Sequence, residues 1–145
     1  MTQPTNKSDV ERLNAMLRGE RAAVETYGKC IEKLATSTRV GQLTSLKASH
    51  AGRVGKLTGK VVELGGRADM TSGAWGSFAN LFEGSAAVFG EKSAIGALEE
   101  GEDHGKKDYA DLDGLSEGAR RFVQTELVPE QRRTHDALSA IKSAM

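Results

Sequence analysis

The sequence predicts an all-α fold, an antiparallel four-helix bundle with one long crossover. Three observations carry that expectation. Apolar residues recur at spacings of three and four through four long stretches, the stripe that one face of a helix buries. No stretch alternates with the two-residue period of a strand. A glycine pair, Gly65-Gly66, and short polar runs fall between the stretches, where a helix would end. Helices of roughly 25 residues are about 38 Å long, and four of them joined short, long, short pack antiparallel with a single crossover. An extended dimeric coiled coil fits less well, because Gly65-Gly66 and an aromatic segment interrupt the pattern.

Residues 1–8 are polar, include Pro4, and read as a flexible tail; residues 9–145 form a single domain. Ser8 or Asp9 can cap the first helix, expected over about 9–36, with Leu13, Met16, Leu17, Val24, Tyr27, Ile31 and Leu34 as its apolar stripe. TSTR (36–39) turns the chain. The second helix carries Val40, Leu43, Leu46, Val54, Leu57, Val61 and Leu64 and stops at Gly65-Gly66. The crossover is expected over 66–92, with an extra short helix built on Trp75, Phe78, Leu81, Phe82 and Phe89. A further helix over about 93–113 is anchored by Ile95, Leu98, Tyr109 and Leu112, and Gly114 with Ser116 marks the next turn. The last helix, about 117–143, contains Pro129, which removes an N–H and crowds the carbonyl one turn back, so a kink or a division is expected there.

Composition excludes several functions. The chain of 145 residues has 20 Lys plus Arg against 20 Asp plus Glu, so no basic excess invites nucleic acid or an anionic membrane. The single cysteine, Cys30, permits no internal disulfide and no thiolate metal cluster. MTQPTNKSDV has no apolar run, which predicts no signal peptide, and no stretch is long and apolar enough for a membrane span. The expected location is cytoplasmic.

The informative residues are polar ones that interrupt apolar seams. Positions 13, 20, 27 and 34 read Leu, Glu, Tyr, Leu, and positions 95, 102 and 109 read Ile, Glu, Tyr. Positions 43, 50, 57 and 64 read Leu, His, Leu, Leu, and 40, 47, 54 and 61 read Val, Lys, Val, Val. His135 lies one turn before Leu138, with Arg132 three residues earlier, as Lys47 is before His50. Each half thus offers one Glu, one His and one cation. Buried carboxylates are costly unless paired or metal-bound, so a central polar layer is expected. His104 faces away from the seam and reads as solvated, while Tyr27 and Tyr109 read as core tyrosines whose hydroxyls reach that layer. Cys30 reads as a small core residue and Trp75 as a seal over the crossover.

With those residues in view, LNAMLRGERAAVETY (13–27) resembles the first helix of bacterioferritins and rubrerythrins, and HAGRVGKLTGKVVELGG (50–66) resembles their second. GEDHGKKDY (101–109) and QRRTH (131–135) are similar to the third and fourth. Leu13-Asn14, Tyr27, Gly65-Gly66, Trp75 and Gly101-Glu102-Asp103 together resemble a bacterial ferritin-like four-helix-bundle family of unknown function. The resemblance implies a ferritin-like fold and assigns Glu20, His50, Glu102 and His135 as metal ligands. It puts Lys47 and Arg132 where two bridging carboxylates would stand. Two close divalent ions would then face added positive charge, which disfavours a dinuclear iron centre.

Two functional readings follow. In the first, Glu20 and Glu102 pair with Lys47 and Arg132, no cofactor is held, and the protein is a non-catalytic, stress-associated scaffold or interaction module. In the second, Glu20, His50, Glu102 and His135 hold one iron or zinc ion for storage or redox chemistry. A homodimer or higher homo-oligomer, or an unidentified protein partner, is compatible with both.

Overall fold

A computed structural model describes residues 6–72 and 90–145 of the chain. Among them the regular structure is all helical: α1 (Asn6–Lys33), α2 (Val40–Glu63), α3 (Glu91–Ala110), the short α4 (Glu117–Phe122), a widened π turn (Val123–Leu127) and α5 (Val128–Ser143). The last three run on as one long helix, so the described residues form four long helices. The expected crossover helix, with Trp75, lies outside the described residues.

Ser8 and Asp9, the expected caps of the first helix, both lie inside α1. Asp9 is buried and serves another element: its carboxylate accepts the Ser116 N–H at 2.9 Å and the Ser116 hydroxyl at 2.5 Å. Ser116 in turn caps α4 through the Ala119 N–H, so Asp9 ties the start of the chain to the start of the last helix. α2 ends at Glu63, and Gly65 has φ +82°, the left-handed conformation that a helix C-terminus commonly needs and glycine adopts freely. A side chain on Gly66 would meet the Val10 methyls at 2.6 and 2.7 Å, so this position admits only close backbone approach to α1.

Pro129 does not divide the last helix. It stands in the first turn of α5, directly after the π turn, in which the Val128 N–H bonds back five residues to the Val123 carbonyl. The wider turn accommodates the proline ring and its missing N–H. It also aligns the buried face. Ala119, Val123, Leu127 and Gln131 are spaced by four, and each such step overshoots an α-turn by about 40°; a turn with more residues takes back part of that drift.

Cross-helix contacts fix the packing. α1 lies chiefly on α2, and α3 on α5, with α1–α3 and α2–α5 closing the square. Ser49 meets Glu130 and Lys56 meets Glu126, so α2 and α5 run antiparallel; Glu99 meets Lys142 and Asp103 meets His135, so α3 and α5 do as well. The core comes in two apolar compartments. One gathers Ala23, Tyr27, Leu43, Leu46, Ile95, Leu98 and Leu138; the other gathers Leu13, Leu17, Leu57, Val61, Leu115, Val123 and Leu127. Between them lie Glu20, His50, Arg53, Glu102 and Thr134, all buried. No described helix is long and apolar enough to cross a membrane.

Candidate functional site: a buried ion network

α1, α2 and α3 each bring one expected residue to the centre. Glu20, His50 and Glu102 follow Leu13, Leu43 and Ile95 by one heptad, and the seven-residue repeat that buries the apolar residues buries these as well. His50 bridges the two acids. Its Nδ1 lies 2.6 Å from Glu20 Oε2 and its Nε2 lies 2.9 Å from Glu102 Oε1. The Tyr109 hydroxyl donates to Glu20 Oε1 at 2.7 Å. The Tyr27 ring tilts against the imidazole with centroids 5.2 Å apart, and its hydroxyl bears on Glu102.

The cation in the layer is Arg53, not Lys47 or Arg132. Its side chain is 1% exposed, and it donates to Glu20 Oε1 at 3.3 Å, to Thr134 Oγ1 at 2.8 Å and to Ser49 Oγ at 3.2 Å. Lys47 lies at the α1–α2 seam, where its amine sits over Gly28. Arg132 is exposed. The expected Glu–Lys47 and Glu–Arg132 pairs therefore do not form.

His135 is also displaced from its expected place. It sits on the outer flank of α5, with Nε2 2.6 Å from Asp103 and Nδ1 3.4 Å from Asp136. The inward positions of α5 are Gln131 and Thr134. Thr134 donates to Glu102 Oε1 at 3.0 Å, and the Gln131 amide donates to the Glu102 carbonyl at 3.1 Å. The physical reason is phase: Leu127, Thr134 and Ile141 are spaced by seven and buried, whereas His135 is one residue, about 100°, off that line. His104 is half exposed beside Asp108, and Cys30 is buried with its thiol pKa pushed up to about 12 by desolvation.

Sequence reasoning missed Arg53, Gln131 and Thr134, although a signal existed. Positions 46 and 53 form the heptad partner of 43, 50 and 57, but Leu46 followed by Arg53 and Lys60 does not look apolar. Val40, Lys47 and Val54, taken as the companion seam, are only half-buried.

The electrostatics are those of a closed set. Formally two carboxylates face one guanidinium and one imidazolium. Burial works against ionised Glu20, but His50, Arg53 and Tyr109 together outweigh it and hold its pKa below 4.5. Burial likewise works against charged His50, and Glu20 with Glu102 outweighs it, holding the His50 pKa above 6.5. Tyr27 and Tyr109 are pushed well above 10 by burial and by the neighbouring carboxylates, so both are proton donors here.

This donor set does not fit the expected metal. A histidine ligand needs a free ring lone pair, and both His50 nitrogens already point at carboxylates. Arg53 adds a fixed positive charge beside Glu20. Among the described residues, no three His, Cys, Asp or Glu side chains converge on one ion position.

Fold and site together define, among the described residues, an all-helical arrangement of four long helices with an internal network of ions and hydroxyls. No protein-family model, curated protein or solved structure matches the chain.

Proposed function

We propose that this chain is a non-catalytic, ferritin-like helical protein, a stress-associated scaffold or interaction module. In this reading, ions of the protein itself fill the place that metal takes in bacterioferritins and rubrerythrins. The observation that carries it is His50, bonded through both ring nitrogens to Glu20 and Glu102 with Arg53 alongside. Charge that a metal would supply is supplied by side chains. The scaffold role rests on that absence of open chemistry and on the sequence resemblance, as does the ferritin-like assignment.

The competing reading, a mononuclear iron or zinc site for storage or redox work, keeps three of its four ligands together in Glu20, His50 and Glu102. It requires both His50 hydrogen bonds to break and Arg53 to leave. Two measurements separate the readings: elemental analysis of protein purified without chelator, and anaerobic Fe²⁺ titration followed by oxygen. The proposal expects no stoichiometric metal and no oxidation above the buffer rate. One equivalent of a transition metal, lost in Glu102→Gln and in His50→Gln, overturns it.

A further inference from the structure

Beside the ion network, α3 and α5 flank an open cavity of about 330 Å³, within the size range of small-molecule sites. Its lining mixes apolar residues with polar and charged ones, Gln131 and His135 among them. The Tyr109 ring, Ala110 and Val128 make an apolar base, and Val128 is the residue directly after the π turn, a helix irregularity that recurs at functional sites. Lys106 and Arg132, both exposed, stand on the rim.

Among the described residues neither cation forms an ion pair, as their neighbour Arg133 does with Glu130. The nearby acids are already engaged: Asp103 and Asp136 both bind His135. The rim therefore presents two unanswered positive charges over an apolar floor. Asp136, which also lines the cavity, weighs against a doubly charged phosphate.

We propose that this cavity binds a small organic carboxylate. Its apolar body lies against Tyr109, Ala110 and Val128, and its carboxylate lies between Lys106 and Arg132. The planar guanidinium suits a carboxylate geometrically, and the lysine adds a point charge. The inference is independent of the metal-free reading, because none of the groups it uses belongs to the Glu20–His50–Glu102 set except through Tyr109, whose hydroxyl is committed to Glu20.

The test is an amide NMR titration of the full chain with benzoate. Benzamide serves as the uncharged probe of the same shape, and inorganic phosphate as the anion without an apolar body. Saturable shifts confined to residues 106–110 and 128–136 are expected with benzoate alone. Arg132→Gln and Lys106→Gln, both at exposed positions, should each weaken it about fivefold, the scale of one partly screened charge contact. Arg121→Gln, which loses only its pair with Glu117, should leave it unchanged. No saturable shift up to about 10 mM benzoate, equal binding of benzamide, equal binding of phosphate, or indifference to Arg132→Gln would each overturn the proposal.

Discussion

Replacing Arg53 by methionine probes the ion network most directly. Methionine keeps much of the aliphatic stem, so packing is largely preserved while the guanidinium is lost. Glu20 loses its 3.3 Å partner, and Thr134 loses a donor at 2.8 Å. Glu20 and Glu102 are then left with His50 as their only buried counter-charge, one positive against two negative. Breaking a buried ion set by removing one member costs about 3–5 kcal/mol, most of it the desolvation of the charge left behind. That is a large part of the roughly 5–15 kcal/mol that stabilises a typical domain. For a chain of this size, at about 3 °C per kcal/mol, the melting temperature should fall by about 9–15 °C. Urea unfolding followed by far-ultraviolet circular dichroism measures the loss. A double-mutant cycle then isolates its cause. Glu20→Gln should destabilise the native protein, but in the Arg53→Met background it restores neutrality and should recover part of the loss, giving a coupling of about 1–3 kcal/mol. A single-mutant loss below about 1 kcal/mol, or strictly additive effects of the two substitutions, would refute the reasoning.

Two further expectations concern pH and glycine. The folded pKa of Glu20 lies below 4.5, so its contribution is present above that value and is lost as pH falls through the folded pKa; the folded pKa of His50 lies above 6.5, so its contribution is complete below 6.5 and is lost as pH rises through the folded pKa. Melting temperature should therefore peak between these values and decline on both sides, and a flat profile from about pH 6 to about pH 9 would contradict the charged His50 bridge. Gly66→Ala should cost about 1–3 kcal/mol through the clash with Val10, largely relieved by Val10→Ala. Gly55→Ala, within α2 and with no described atom within 4 Å of the new methyl, should gain about 0.5–1 kcal/mol, read as a rise in melting temperature.

These glycines show where the sequence was legible and where it was not. A side chain on Gly41, Gly52, Gly55, Gly59 or Gly96 would meet no described atom within 4 Å, whereas Gly66 and the Lys47-covered Gly28 are crowded, a difference the sequence pattern does not display. Helix identity was readable because seven-residue spacing and burial are the same fact seen twice. Glu20, His50 and Glu102 could be placed because each stood alone among apolar neighbours. Arg53 and Thr134 could not be picked out by hydropathy, since a charged residue inside a seam looks like one on the flank. His135 was misplaced by a different route. Positions 134 and 135 both lie within one turn of Leu138, and only the longer series through Leu127 and Ile141 separates them. The π turn depends on a balance between Pro129 and four-residue spacings that no short motif displays.

The two apolar compartments on either side of the ions have a consequence for how the helices find their alignment. A core of leucine and alanine tolerates sliding, because a helix displaced by one turn, about 5.4 Å, meets similar side chains again. The ionic layer does not. Moving α3 by one turn would take Glu102 away from the His50 imidazole and set it against leucine, and moving α5 would strand Arg53 without Thr134. The buried charges thus act as a length gauge, selecting one longitudinal register from several that the apolar surfaces alone would accept.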